Sequence, residues 1–276
     1  MTEREGGWVD ADLYEPYIGR WSRMAAQAFV EWMAVPGGRR WLDVGCGTGA
    51  LSSAILERAN PLAIRGADES ALLVAFARER VFDDRVRFDV ADALALPYDP
   101  ATYDAVVSGL MLELVRDPCA LLREMARVAR PRGCVAAYVW DYAGEMQMVR
   151  YFWEAAVALK PAARAFDEGQ RFTLCQPAPL RQVFEQAGLM QIESSSIDIP
   201  TVFRDFEDYW TPFLGGHGIA PGYAMSLSER DRAALRDRLR ATLPIAPDGS
   251  IRLHARVWTI RAFKPRDPLT LPDPVV

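Results

Sequence analysis

A doubly wound α/β fold is predicted by three features of this 276-residue chain. Short apolar runs alternate with segments of helical periodicity between Arg40 and Trp140. A glycine-rich turn, Gly45-Cys46-Gly47-Thr48-Gly49, joins the first apolar run to the first helical segment. Acidic residues stand at the ends of the next two runs, at Asp68 and Asp92. Strand, helix, strand repeated in this way gives a parallel sheet with helices on both faces.

Each element follows from its residues. Trp41-Leu42-Asp43-Val44 is a buried strand entering the glycine turn, and Ala50 to Ala59 carries Leu51, Ala54, Ile55 and Leu56 at helical spacing. Leu62 to Ala67 is the second strand and Ala71 to Arg80 the next helix. Val86 to Val90 is a third strand, followed by a loop ending at Pro97, and Tyr103 to Ser108 is a fourth. Asp117-Pro118 starts a helix, with a capping carboxylate followed by proline at the first helical position. That helix is expected to end near Arg130 to Gly133, with a fifth strand over Cys134 to Trp140. Beyond Trp140 the rhythm breaks. Gly144 to Leu159 reads as an aromatic-rich helix, Pro161 to Pro179 as irregular, and Leu180 to Gln186 as a short helix closed by Gly188. Leu189 to Ile199 and Ile251 to Phe263 read as strands, separated by an insertion over Pro200 to Gly249.

Four regions result. Residues 1–39 form an N-terminal helical segment and 40–140 the core. Residues 141–263 complete the sheet, with helical lid insertions at about 141–179 and 200–250, and 264–276 is a Pro-rich tail. No run of about 18 uncharged apolar residues spans a membrane, and the polar, acidic start is unlike a signal peptide, so a cytoplasmic protein is expected. The net charge of −5 argues against a sequence-independent grip on nucleic acid. Arg123, Arg127, Arg130 and Arg132 read as a solvated helix face. Cys46, Cys119, Cys134 and Cys175 lack paired spacing, and only His217 and His254 could join them, so no metal site is expected.

Chemistry concentrates in the turn after the first strand. Glycines there let a ligand approach the backbone, and the following helix offers free N–H groups. The third glycine comes two residues after the second, where the dinucleotide fingerprint places it three after. No Lys-Ser/Thr pair follows, as a nucleoside triphosphate loop requires. Asp68 lies 19 residues beyond Gly49 (68 − 49), where a carboxylate reaches the hydroxyls of an adenosine ribose. Asp92 follows the third strand, where it can accept from an adenine amino group while Ala93 and Leu94 pack on the ring. Three successive strand ends converge on one crevice.

Leu42 to Gly49 resembles motif I of the class I S-adenosylmethionine-dependent methyltransferases. Gly66-Ala67-Asp68-Glu69-Ser70 is similar to their ribose-binding acidic turn. Asp89 to Pro97 resembles their adenine-binding segment, Tyr103 to Ser108 their fourth strand, and Arg130 to Gly133 their entry to strand five. The resemblance covers about residues 40–140 and points to the small-molecule branch that includes ubiquinone- and menaquinone-biosynthesis enzymes. It implies a Rossmann-like seven-stranded sheet, mostly parallel, with an antiparallel last strand. It also implies S-adenosyl-L-methionine as methyl donor, S-adenosyl-L-homocysteine as product, and Gly45, Cys46, Gly47, Asp68, Glu69, Asp92, Ala93 and Ser108 as the cofactor's contacts. In similar enzymes a segment like Tyr14 to Trp21 folds over the methionine end. Tyr17 and Arg20 are therefore candidates for contacting the cofactor carboxylate or closing the site, with plain helix packing as the other reading. Where relatives often carry a histidine after strand four, this chain has Leu112-Glu113-Leu114.

Methyl transfer is an in-line displacement at a carbon already activated by a sulfonium, so alignment and water exclusion dominate. A dedicated catalytic side chain is optional and none is assigned. Glu113 and His217 are the titratable candidates for a general base. Acceptor choice belongs to the added segments. Trp140, Tyr151, Tyr209, Trp210 and His217 are the candidate acceptor contacts, in an apolar pocket for a small aromatic, polyketide or isoprenoid-like molecule. The other reading makes these aromatics the lid's own core. A monomer or homodimer is expected. Two further functions fit the same motifs: a non-catalytic module binding the sulfur nucleoside for a partner, and an NAD(P)-dependent dehydrogenase. The dehydrogenase lacks the required glycine spacing and a Tyr-x-x-x-Lys pair.

Overall fold

Strand β1 (Arg40–Val44) is buried at four of its five positions, as a central parallel strand must be. It pairs in parallel with β2 (Ala63–Asp68) on one side and β4 (Tyr103–Gly109) on the other, and β2 pairs with β3 (Val86–Val90). β4 carries β5 (Ala129–Trp140), also parallel. The seven-stranded order is β3-β2-β1-β4-β5-β7-β6, with β6 at Met190–Phe203 and β7 at Ile251–Phe263. Arg256 and Arg261 of β7 pair with Asp198 and Glu193 of β6, so numbers rise in one strand as they fall in the other. The sheet is therefore mostly parallel with an antiparallel last strand, as expected. Strand order reverses between β1 and β4, and at such a switch point open α/β sheets bind ligands beyond the strands' carboxyl ends.

The computed structural model describes residues 15–216 and 218–266. The chain divides into two compact units. The first holds Val30–Tyr138, Leu180–Ser195 and the end of β7 from Thr259. The second holds residues 15–29, Val139–Pro179 and Ser196–Trp258.

Local chemistry explains the boundaries. Helix α1 spans Arg20–Met33, α2 Ala50–Ala59 and α3 Ala71–Arg80. Helix α4 (Pro118–Val128) starts where expected, with the Asp117 carboxylate accepting from Ala120 N–H at 2.9 Å. It stops at Val128, and β5 begins at once, taking in the Arg130–Gly133 stretch expected to close the helix. Lys264 explains this difference. Its N–H donates to Gly133 O and its carbonyl accepts from Arg132 N–H, which extends the sheet over that stretch. The irregular region is also more ordered than expected. It contains a 3-10 helix (Pro161–Phe166), helix α5 being Gln147–Leu159, then a short α6 (Glu168–Arg171) capped by Asp167, and α7 starts early, at Pro177. The insertion after β6 folds into α8 (Phe206–Trp210), a 3-10 turn (Thr211–Gly215), α9 (Ile219–Ser226) and α10 (Glu229–Thr242). Among the described residues no helix is long and apolar enough to cross a membrane.

Candidate functional site

The three strand ends meet as predicted, and hydrogen bonds tie them together. Gly45 and Cys46 N–H both donate to Ala67 O of β2, at 2.7 and 3.0 Å. Gly47 N–H donates to Asp68 Oδ2 at 3.0 Å, and Ser70 N–H donates to Asp68 Oδ1 at 2.9 Å. Ala91 N–H then donates to Asp68 O at 2.9 Å, drawing in the loop that carries Asp92 and Ala93. Asp68 is thus the node joining the ends of β1, β2 and β3. The duty of capping α3 falls to Ser70, whose Oγ accepts from Leu73 N–H. Burial raises the Asp68 pKa, opposed by the two N–H donors that favour its charged form. Beyond β3, Asp92 Oδ1 accepts from Leu94 N–H at 2.8 Å, and this exposed turn fixes the loop. Glu69 is exposed beside Asp68.

The glycines differ in what they allow. Gly45 has φ +73°, and a Cβ there would collide with the Met111 side chain. Gly47 has φ +51°, and a Cβ would meet no protein atom within 4 Å. Only glycine takes such φ values without strain, and at Gly47 the bare backbone faces open space, as close ligand approach requires. Gly49, at φ +85°, brings α2 against Val81, Ala77 and Phe88.

Four buried polar atoms of this unit have no hydrogen-bonding protein partner among the described residues: Trp41 Nε1, Asp43 Oδ1, Ser108 Oγ and Glu113 Oε2. The other Asp43 oxygen accepts from Ser52 Oγ at 2.8 Å. Burial, with Asp68 nearby, pushes the Asp43 pKa up to about 7. Burial likewise pushes the Cys46 thiol well up, which keeps it an inert core group. An open backbone face at Gly47, a carboxylate at the end of β2 and an unsatisfied Ser108 hydroxyl at the end of β4 are suited to an adenosyl group extended by a polar tail. The residues present fit such a ligand.

In the second unit the predicted acceptor contacts are packed into a core. Trp140, Tyr209 and Trp210 are buried, and Tyr209 donates its hydroxyl to Met148 O at 2.8 Å. Phe213 stacks on Phe152, with centroids 4.6 Å apart, and meets Tyr17 edge-on at 5.3 Å. Tyr151 is partly exposed on α5, and His217 lies outside the described residues. Tyr17 is buried, and its phenol pKa is raised by burial and by the neighbouring Glu168. Arg20 donates to Asp208 Oδ1 at 3.0 Å and lies over the rings of Trp21 and Phe203. A cavity of about 400 Å³ in this unit is lined by Arg20, Arg204, Asp205, Glu207 and Asp208 with Pro16 and Pro212. The aromatics named above do not line it.

Two features here escaped sequence reasoning. Arg150 and Asp167 form a bidentate, largely buried ion pair, and Glu168 is a buried carboxylate. Glu168 accepts from Trp153 Nε1–H and from Ala220 N–H, and burial pushes its pKa up to about 7. Neither pair has a helical spacing that would bring its members together in sequence. Among the described residues, no three or more His, Cys, Asp or Glu side chains are grouped to hold a metal ion.

Comparison with known proteins gives a consistent result. Residues 42–137 match the model of the methyltransferase domain family. The chain is 31% identical to the methyltransferase GfsG of Streptomyces halstedii, over 78% of this chain and 77% of that protein. It is also 31% identical to a demethylmenaquinone methyltransferase of Shouchella clausii, over 68% of this chain and 89% of that one. Among solved structures, phosphoethanolamine N-methyltransferase 2 of Haemonchus contortus, bound to S-adenosyl-L-methionine, matches with a TM-score of 0.57. That match has 17% identity and covers 94% of this chain and 61% of the other.

Proposed function

Because the chain belongs to the class I S-adenosylmethionine-dependent methyltransferases, we propose that it methylates a small, apolar or aromatic acceptor of the quinol or polyketide type. S-adenosyl-L-methionine supplies an electrophilic methyl group and leaves as S-adenosyl-L-homocysteine. The observation that carries the reading is the Asp68 node. The Asp68 carboxylate orders the glycine turn and its backbone carbonyl holds the loop that carries Asp92, and the carboxylate retains lone pairs for ribose hydroxyls. Asp92 and Ala93 would take the adenine, the Gly45 to Gly47 backbone the linking atoms, and Ser108 a polar atom of the tail. Holding the reacting atoms about 3–3.5 Å apart and in line supplies most of the catalysis such a displacement needs. No metal has a role in this scheme.

The acceptor class draws on the relative named as a demethylmenaquinone methyltransferase. The test is methyl transfer from tritiated S-adenosyl-L-methionine to a panel of naphthohydroquinones and hydroxylated polyketides, beside polar amines such as phosphoethanolamine. Label in the apolar hydroxyl-bearing members and not in the amines is expected. Transfer to the amines alone would contradict the acceptor assignment.

A further inference from the structure

Beyond β4 the chain makes a tight passage whose purpose the fold alone does not explain. Leu110, a residue with a Cβ, adopts φ +56°, a strained left-handed conformation of a kind that collects at functional sites. Its N–H donates to Tyr138 O at 2.9 Å. Met111 then lies so close to the glycine turn that any Cβ on Gly45 would strike its sulfur. A 3-10 turn follows over Leu112–Leu114, packed on α4. This geometry ties Glu113 to the switch point between β1 and β4. The residue as a whole is half-buried, but its Oε2 is sealed from solvent and no protein group donates to it. A carboxylate oxygen buried without a donor costs several kcal/mol unless protonated or met by a ligand.

Of the charged groups on surrounding elements, Asp43 keeps Oδ1 without a partner, and the others named here are engaged elsewhere. Asp43 accepts from Ser52, and Asp68 from Gly47 and Ser70. On α4, Glu124 pairs with Arg127 and accepts from Leu96 N–H, and Arg123 reaches Gln186 O. Asp117 caps α4. Burial pushes the Glu113 pKa up to about 7, opposed by its own backbone N–H.

Strand order says what it faces. If the ribose sits on Asp68 at β2 and the adenine on the Asp92 loop at β3, the ligand continues across β1. In the order β3-β2-β1-β4 its sulfonium end then arrives at β4, beside Ser108 and Glu113. We propose that the Glu113 carboxylate faces the sulfonium and accepts the proton of an acidic hydroxyl acceptor during methyl transfer. The inference rests on the methyltransferase reading. As the acceptor oxygen bonds to the methyl carbon, the sulfur–carbon bond breaks and its electron pair stays on sulfur. The hydroxyl proton passes to Glu113. The positive sulfonium and negative carboxylate become a neutral thioether and a neutral acid, so no isolated charge is left in a desolvated site. A phenolic, enolic or hydroquinol hydroxyl suits a base that ionises near neutrality.

The test needs no known acceptor. S-adenosyl-L-methionine and S-adenosyl-L-homocysteine are titrated by calorimetry at pH 7 in two buffers of different ionisation enthalpy, which counts the protons moved. The ligands share adenine, ribose and amino acid, so their difference isolates the sulfonium. Wild type is expected to release on the order of half a proton more with the methionine ligand, and Glu113→Gln to lose that excess while still binding the homocysteine ligand. Equal counts in wild type, or an excess that survives in Glu113→Gln, would overturn the proposal. If Glu113→Gln does not fold, Glu113→Asp and the wild-type count carry the test. Failure of wild type to bind either ligand would instead remove the methyltransferase reading beneath it.

Discussion

In the unit built on β1 to β4, Asp68 at a strand end joins the glycine turn to the Asp92 loop, and Asp43 Oδ1, Ser108 Oγ and Glu113 Oε2 are buried with no protein partner. In the helical unit the buried acids are engaged within the unit itself, while Arg20 Nε, Trp21 Nε1, Trp140 Nε1, Thr201 Oγ1 and Trp258 Nε1 lack a partner among the described residues. Tyr209 donates to Met148, Arg20 to Asp208 and Arg150 to Asp167, and Glu168 is bonded on both oxygens. Both units hold buried polar atoms without a partner, but among the described residues unpartnered carboxylate oxygens, Asp43 Oδ1 and Glu113 Oε2, occur in the first unit and not in the second. A buried carboxylate oxygen with no donor is costlier than a neutral group left unpaired, so where one persists it marks a place for a proton or a ligand. Acids paired on both oxygens, as Asp167 and Glu168 are, instead mark structure.

Substitutions should separate the two units by what each one loses. The largest effect is expected at Phe213, which stacks on Phe152 and touches Tyr17, Tyr209 and Trp210. Phe213→Ala should destabilise the protein by about 3–5 kcal/mol in denaturant melts, with affinity for the sulfur nucleosides retained by the folded fraction. A near-neutral change would mean that these rings form an acceptor pocket and not a core.

Next is Glu168. Its pKa in the folded protein is about 7, above the ordinary glutamate value. The folded state therefore holds a proton that the unfolded chain has released, and stability falls as pH rises from about 4.5 to 7. That decline amounts to about 3 kcal/mol for a shift of this size. The Glu168→Gln protein should lack this part of the slope, and identical pH profiles for the two proteins would contradict the buried-acid account.

Gly47→Ala reverses the pattern. Its Cβ meets no protein atom, so stability should fall by only about 1–2 kcal/mol for the left-handed backbone. S-adenosyl-L-homocysteine affinity should fall more than tenfold. Unchanged affinity would mean that the ligand does not approach this face. The smallest effect belongs to Tyr209→Phe, which should cost about 1 kcal/mol of stability and leave acceptor KM unaltered. A rise in KM would return Tyr209 to the acceptor site.

This contrast also governs what the sequence disclosed. Strand β3, helices α2 and α3 and strand β7 have the predicted limits, because each is set by local signals: apolar runs, a capping Ser70, a closing turn. The convergence of Gly47, Asp68 and the Asp92 loop was legible because successive parallel strands bring their ends together. Met111 over Gly45 was not, since nothing in residues 110–114 announces a left-handed Leu110. The buried Glu168 and the Arg150–Asp167 pair were missed because their partners lie 15 or more residues away on other helices. The fifth strand was begun too late, because Lys264 pairs with the 130s from the far end of the chain. Periodicity sees local structure, and long-range polar pairing leaves no period.

The central claim is that Asp68 organises the cofactor site, and the most direct measurement is calorimetric titration of S-adenosyl-L-methionine into wild type and Asp68→Ala. The account predicts tight binding by wild type and a loss of about 100-fold or more, roughly 2.7 kcal/mol, in a variant that remains folded. Equal affinities in the two proteins would contradict it.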